Sequence, residues 1–209
     1  MRLDLTPPKL LSAYASGIFP MADNDGTVQW LAPDPRCILE FDELYVSRSL
    51  RTTLRRGTYE VRVNSCFPEV IQACAGRERG TWISDKIIRA YVQLYRLGFA
   101  HSVEAWKDGT LAGGLYGVAI GGAFFGESMF HRATDASKVA LIYLVERLVH
   151  CQFALLDVQF LTAHLKSLGA REIPRAVYQR RLRSALGLPC SFVDEPQVTP
   201  IRRKRKSLA

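Results

Sequence analysis

The spacing of apolar residues along the chain changes between a helical and an extended period. In residues 84–97, the apolar positions 87, 88, 91, 94 and 95 fall on one side of a helix, with Ser84 before it as N-cap and Gly98 after it. The same spacing predicts helices at residues 7–17, 47–57, 67–76, 136–150, 163–170 and 175–186. Alternation of apolar and polar residues predicts strands at residues 37–46, 59–64 and 100–106. Two glycine-rich segments at 110–120 and 123–130 continue the last of these as a meander, and the apolar segment 154–160 predicts a buried strand.

The order of these elements predicts an α+β fold with a mixed sheet. Residues 18–36 are rich in Pro, Gly, Asp and Asn, which indicates a loop with a short extended piece at 28–31. Ser47 and Asp135 are expected to cap the helices that follow them. We expect three parts, which are a small N-terminal α/β domain at 1–62, a larger domain at 63–190, and a basic, disordered tail at 191–209 that contains Arg202–Lys206.

Composition and charge narrow the class of protein. The chain has 209 residues, of which 48% are hydrophobic, and 28 Lys and Arg stand against 20 Asp and Glu, a net charge of +8. This excess indicates a polyanionic partner such as nucleic acid. No run of about 18 apolar residues occurs and the N-terminus does not resemble a signal peptide, so we expect a cytoplasmic protein with no membrane contact. Five cysteines and four histidines show no metal-ligand spacing, which predicts reduced thiols and no metal.

Two carboxylates stand in apolar surroundings. Asp157 and Gln159 alternate with apolar residues in LLDVQF, which places both on one face of a buried strand. A buried carboxylate needs a partner or a task, so the two residues form either a catalytic pair or a hydrogen-bonded pair that holds the sheet together. Glu127 follows Gly126 in FFGESMF, where it either receives a cationic ligand or pairs with a nearby arginine at a strand edge.

Aromatic and basic positions fit a nucleic-acid partner. Trp82 lies in the polar stretch GTWIS, where its indole either stacks on a nucleobase or packs at the start of the next helix. Arg48, Arg51 and Arg55 fall on one helical face and Arg56 follows them, which suits either a phosphate backbone or a solvated basic surface. Further basic residues follow nearby in the sequence at Arg77, Arg79, Lys86 and Arg89.

Several fixed words occur in one order along the chain: YASGIFPM, WLAPDPR, RGTWIS, LGFAHSVEAW, GGLYGVAIG, FFGESMF, ASK, LLDVQF and HLKSLGAREIPR. Together they resemble the leucyl/phenylalanyl-tRNA–protein transferases from about residue 6 to residue 188. The resemblance implies a GNAT-like acyltransferase domain at 63–190. It also implies transfer of Leu, or Phe and less often Met, from aminoacyl-tRNA to proteins with N-terminal Arg or Lys, which marks them for N-end rule degradation. A monomer without a cofactor is expected.

The resemblance also assigns roles to residues. Asp157, Gln159 and Glu127 would lie at the reaction centre. There Asp157 would orient Gln159 and stabilise positive charge on the incoming amine, and Gln159 would contact the amine or the carbonyl. Trp82 and Met21 would hold the 3′-adenosine, although family members often carry Trp at the position of Met21. Arg48, Arg51, Arg55 and Arg56 would contact the tRNA backbone. The walls of the aminoacyl pocket would be Leu115, Phe124, Gly126, Leu141, Leu144, Leu148 and Leu156.

Three other functions fit parts of the sequence. A GNAT enzyme that uses acetyl-CoA or another acyl donor would share the order of elements, but HRATDASK, which leads into the helix at 136, lacks the glycines that cradle a pyrophosphate. A non-catalytic tRNA-binding protein would explain the charge but not the buried carboxylate of LLDVQF. A thiol enzyme is disfavoured, because Cys74 and Cys151 lie on predicted helices without a histidine placed to activate them.

Overall fold

A large mixed sheet organises the protein. The computed structural model describes residues 5–23, 25–76 and 81–193. In those ranges the helices are α1 (Pro7–Ala15), α2 (Arg48–Arg55), α3 (Phe67–Ala75), α4 (Asp85–Arg96), α5 (Ala136–His150), α6 (Ala163–Ser167) and α7 (Arg175–Leu186). The strands are β1 (Phe19–Ala22), β2 (Val28–Leu31), β3 (Arg36–Ile38), β4 (Glu60–Val63), β5 (Ala100–Lys107), β6 (Thr110–Ile120), β7 (Ala123–His131), β8 (Leu155–Gln159) and β9 (Arg171–Ile173).

One parallel pair interrupts an otherwise antiparallel sheet. The strand order is β4-β5-β6-β7-β8-β3-β9, and β1 pairs with β2 in a separate hairpin. Strand β7 runs parallel to β8, but their pairing covers only Ala123 to Phe125 against Leu155 to Asp157. Beyond these residues β7 continues to His131 without β8 beside it. The two strands therefore separate near the middle of the sheet, which opens a gap there.

Helices cover both faces of the sheet. Since neighbouring residues of a strand point to opposite faces, each central strand contributes side chains to both layers. Phe125 and Leu155 pack into a cluster with α1, α3, α4 and α7. Phe124 and Leu156, one residue away, pack into a second cluster with α5. The alternation of large apolar residues on both faces explains why β7 and β8 read as nearly continuous apolar runs.

The α+β fold with a mixed sheet is confirmed, and the meander, helix and strand follow in the predicted order. Helix α7 has the predicted bounds, and Ser47 caps α2 by accepting a hydrogen bond from the Leu50 amide at 3.2 Å. The other two expected N-cap residues stand at the N-cap positions of α4 and α5, but neither side chain makes a capping hydrogen bond. Asp135 adopts a left-handed backbone with φ 66° and binds Lys138 instead, while Ser84 makes no capping hydrogen bond.

Some strand predictions were also wrong. Residues 37–46 do not form one strand, since β3 ends at Ile38 and the chain then turns so that Glu40 binds Arg171 and Arg181. Strands β1 and β9 were not predicted, because each is short and lies beside a turn. Both β3 and β4 belong to the large sheet, so the boundary expected after residue 62 falls inside β4.

Parts of the sequence-based expectations fall outside the described residues. These are most of the basic tail at 191–209, including Arg202–Lys206, together with Arg77 and Arg79. Among the helices that the structure describes, none has the length and hydropathy required to cross a membrane.

Candidate active site

The gap between β7 and β8 opens into a cavity of about 1420 Å³. Gly126 lies on β7 where the strands separate, and a Cβ there would meet the backbone oxygen of Asp157 only at 3.6 Å. Packing alone therefore does not require glycine at this position, whereas close approach of a ligand to the strand would. The cavity is bordered by β1, β7, β8, α3, α5 and α6, so it reaches both faces of the sheet.

Glu127 is the carboxylate of this cavity. It follows Gly126 on β7 and is buried, and Tyr14 donates a hydrogen bond to its Oε1 at 2.7 Å. Tyr91 donates to Oε2 at 3.2 Å, and the two tyrosine hydroxyls contact each other. The side-chain amide of Gln159 donates to Oε1 at 3.0 Å. These donors fix the carboxylate while it still lines the cavity.

Burial dominates the electrostatics of Glu127. It raises the pKa of this carboxyl to about 8, against the opposing effect of the hydrogen bonds from Tyr14 and Tyr91. The pKa values of both tyrosines are raised, first by their own burial and then by the nearby Glu127. A carboxyl whose pKa lies near that of an α-amino group is suited to exchange a proton with an amine.

Asp157 is held behind the cavity rather than in its wall. Its side chain is 0% exposed, and Arg36, 1% exposed, binds it through Nε at 2.9 Å and Nη2 at 2.6 Å. Tyr178 donates a third hydrogen bond at 2.7 Å and the backbone amide of Gln159 a fourth at 2.9 Å. With four donors, this carboxylate has a complete set of protein partners. Asp157 is therefore placed to orient Gln159 through its backbone amide rather than to contact a ligand in the cavity.

Gln159 connects the two carboxylates. Its backbone amide binds Asp157, and its side-chain amide binds Glu127. The residue adopts a left-handed backbone with φ 59°, which is strained for a side chain of this kind and is typical of functional sites. Asp157 thus fixes the backbone of Gln159, and Gln159 in turn positions Glu127. The structure brings together all three residues that the sequence placed at the reaction centre.

One wall of the cavity is apolar. Of the expected pocket residues, Leu115, Gly126, Leu141, Leu144 and Leu156 line it, and Met129 and Val158 join them. Phe124 and Leu148 do not line the cavity but lie in the same cluster behind these side chains.

Met21 and Trp82 both line the cavity. The Ala22 amide, next to Met21 in the chain, donates a hydrogen bond to the Trp82 carbonyl at 3.1 Å, which holds the two segments side by side. Arg48, Arg51, Arg55 and Arg56 lie elsewhere, exposed on or just after α2. That helix packs through Leu50 against Val139 and Ile142 of α5, so it contacts α5 on a side other than the cavity.

Sequence reasoning missed four residues that hold the centre, which are Tyr14, Arg36, Tyr91 and Tyr178. Arg36 ends the word WLAPDPR, and its burial could have been suspected only from the need of Asp157 for a cation. Tyr91 and Tyr178 lie on the buried sides of amphipathic helices, where a tyrosine reads as ordinary packing.

No group of three or more His, Cys, Asp or Glu that could hold a metal occurs within the described ranges. Burial raises the pKa of Cys37 to about 12, the opposite of what a nucleophilic thiol requires.

The raised pKa of Glu127 predicts how stability depends on pH. Between about 4.5 and about 8 the folded protein keeps a proton on Glu127 that the unfolded chain has released, so the free energy of unfolding should fall as pH rises. Glu127→Gln cannot titrate and should lack this part of the slope. The measurement is urea unfolding of both proteins at several pH values. Parallel curves would show that Glu127 titrates normally.

Comparisons with known proteins agree on one family. A family model described as leucyl/phenylalanyl-tRNA protein transferase matches residues 38–183, and a model of that family's N-terminal domain matches residues 3–34. A leucyl/phenylalanyl-tRNA–protein transferase of Gloeobacter violaceus is 53% identical over 193 residues, 92% of this chain and 100% of the relative. One of Rubrobacter xylanophilus is 56% identical over 189 residues, 90% and 98% of the two chains.

Solved structures match more distantly. A ribosomal-protein-alanine N-acetyltransferase from Brucella melitensis is 12% identical with a TM-score of 0.38, covering 58% of this chain and 89% of its own. The C-terminal domain of a putative lysylphosphatidylglycerol synthetase from Agrobacterium fabrum is 12% identical with a TM-score of 0.40, covering 88% and 60%.

Proposed function

Because this chain belongs to the leucyl/phenylalanyl-tRNA–protein transferase family, a family of enzymes, we propose that it acts on proteins with N-terminal Arg or Lys. The reaction of the family is transfer of an aminoacyl group from tRNA to a protein. In the proposed reaction the enzyme takes Leu, or Phe and less often Met, from aminoacyl-tRNA in the cytoplasm. It joins this residue to the α-amino group of the acceptor and so marks the acceptor for N-end rule degradation.

This proposal rests on one observation, which is that an apolar wall and a buried carboxylate line the same cavity. Leu115, Leu141, Leu144 and Leu156 offer an apolar surface for a donor side chain that is not branched at Cβ, such as Leu, Phe or Met. Glu127 offers a negative or proton-accepting group for the acceptor amine beside that surface. The two substrates therefore have complementary places within the same cavity.

The chemistry is aminolysis of an ester. The neutral α-amine attacks the carbonyl carbon of the aminoacyl ester, a C–N bond forms, and the C–O bond to the ribose breaks. The nitrogen becomes positively charged as it attacks, and Glu127 is the group that faces this charge. The proton lost by the amine reaches the ribose oxygen, either through Glu127 or directly with the help of the ribose hydroxyl. Gln159 keeps Glu127 in place for this step.

The 3′-adenosine of the tRNA has a candidate place at Met21 and Trp82. Both side chains are half-buried and line the cavity, and a thioether and an indole each offer a face to a base.

The acceptor side of the proposal is tested with peptides that differ only in their first residue. Radiolabelled leucine should pass from Leu-tRNA to peptides that begin with Arg or Lys. The matched peptides beginning with Ala or Glu should remain unlabelled. Equal labelling of all four peptides would contradict acceptor selection by a basic first residue.

The basic face of α2 predicts a salt effect on tRNA binding. None of Arg48, Arg51, Arg55 and Arg56 forms an ion pair with any described residue, so all four are available to phosphates. Each Arg→Ala change should reduce the slope of log affinity against log salt by about one unit. Lys107→Ala, an exposed cation at the end of β5, serves as the control. An unchanged slope after loss of three α2 arginines would place the tRNA on another surface.

A further inference from the structure

The first turn of α5 opens into the cavity at some distance from Glu127. The cavity wall includes Asp135, Ser137 and Lys138 of this turn, then Leu141 and Leu144 further along the helix. The amides of Ala136 and Val139 donate to the carbonyls of Ala133 and Asp135. Within the described chain, the amides of Ser137 and Lys138 have no backbone acceptor, and the side chain of Asp135 does not cap the helix. Two N–H donors without a backbone acceptor and the positive end of the helix dipole therefore lie in this turn, whose residues Ser137 and Lys138 line the cavity.

Ser137 adds a donor that the fold itself does not use. It is only 4% exposed and lines the cavity, yet in the part of the chain that the structure describes its hydroxyl has no hydrogen-bond partner. Because the hydroxyl oxygen is not itself enclosed by protein, it is open to the cavity and can donate to a ligand there. The first turn of α5 packs closely on β6 because residue 113 is a glycine. A Cβ there would lie 3.0 Å from the Ser137 amide nitrogen and 2.6 Å from the Ala136 Cβ.

The charges around this turn favour an anion. Arg132, Lys138, His131 and His164 all line the cavity. Arg132 is exposed, and its guanidinium is held by the Leu111 carbonyl at 3.2 Å. Asp135 is the carboxylate of this turn, and Lys138 binds it at 2.9 Å, whereas Glu69 and Glu127 line the cavity from α3 and β7. Arg132 and the N-terminal end of the helix dipole therefore supply positive charge at this turn.

We propose that the first turn of α5 binds a phosphate group, and specifically the phosphate on the 5′ side of the last tRNA nucleotide. The donors are the Ser137 hydroxyl and the amides of Ser137 and Lys138, with Arg132 as the nearby cation. The segment HRATDASK lacks the glycines that let a pyrophosphate-binding loop present its backbone amides. In the proposed site the Ser137 hydroxyl supplies a hydrogen-bond donor instead. Leu141 lies about 6 Å along the helix from Ser137, so a donor side chain and the phosphate of the same nucleotide would lie one helical turn apart. This inference rests on the proposed function.

Two synthetic donor analogues isolate the contribution of the 5′-phosphate to binding. One is 3′-leucylamido-adenosine, which cannot be hydrolysed and carries a 5′-hydroxyl, and the other is the same molecule with a 5′-phosphate. Calorimetry should show that the phosphate strengthens binding to the wild-type protein about tenfold, as for added hydrogen bonds to a charged group. Ser137→Ala and Arg132→Gln should each lose most of this gain and bind the 5′-hydroxyl compound as the wild type does.

Ser184→Ala, an exposed serine on α7, is the matched control and should keep the full gain. The same 5′-phosphate gain in the wild type and in Ser137→Ala would overturn the proposed site. So would equal binding of both compounds to the wild type, even if leucine transfer from tRNA proceeds. Failure of the wild type to bind either compound, together with no transfer from Leu-tRNA, would instead overturn the proposed function. Thermal melts show whether each variant is folded.

Discussion

Replacement of Arg36 by methionine should lower the free energy of unfolding by about 3–5 kcal/mol, the usual result of removing one partner from a buried ion pair. Arg36 and Asp157 are both fully buried and bind each other through two hydrogen bonds. The Arg36 guanidinium also lies 4.7 Å from the ring centres of Phe19 and of Tyr178. Methionine fills much of the same space, so the main loss is the cation that Asp157 needs.

A second variant shows that charge, rather than volume, causes this loss. The double change Arg36→Met with Asp157→Leu removes both charges and should recover a large part of the stability. It should not recover transfer activity, since the backbone of Gln159 loses its acceptor. Urea unfolding measures the stabilities. If Arg36→Met alone unfolds within about 1 kcal/mol of the wild type, the pair does not hold the centre as described.

Glu127→Gln and Gln159→Ala should each slow leucine transfer by about a hundredfold or more, which corresponds to about 2.7 kcal/mol of transition-state stabilisation. Glutamine at 127 keeps the size of the side chain but removes the group that faces the developing ammonium. Alanine at 159 removes the donor that holds Glu127 Oε1. Both changes should leave tRNA affinity nearly unchanged, because the basic residues of α2 lie away from the cavity.

Single-turnover peptide-bond formation with saturating Leu-tRNA is the measurement, and thermal melts of the same samples are its control. Thr53→Ala on α2, which lines no part of the cavity, is expected to keep the wild-type rate. Wild-type rates in both active-site variants would remove Glu127 and Gln159 from the mechanism and leave transfer assisted by the donor ribose alone. A loss of activity that only follows the unfolded fraction would assign both residues to folding.

The helices and the central meander could be predicted from the sequence, because amphipathic spacing and alternation depend on local residues. Helix α7 and strand β6 have the bounds that the pattern indicated. The short strands β1 and β9 could not be predicted, since three or four residues beside a turn form a strand only when a partner lies next to them. The same holds for β3, which ends where Glu40 reaches arginines more than a hundred residues away.

The site was predictable where a polar residue interrupts an apolar strand, as Asp157 and Glu127 do. What the sequence could not show is which carboxylate meets the cavity. Asp157 is paired with Arg36, which lies 121 residues away in the chain, and this long-range contact leaves Glu127 facing the cavity. The three tyrosines were missed for a related reason, because a buried helix position does not reveal that its hydroxyl binds a carboxylate.

The choice of donor tests the account most directly. The protein is mixed with an Arg-initiated peptide, Leu-tRNA and acetyl-CoA together, and the mass of the peptide is followed with time. We expect the peptide to gain one leucyl residue on its α-amino group and no acetyl group, and we expect Glu127→Gln to slow this gain greatly. Acetylation of the peptide, with the charged tRNA unused, would contradict it.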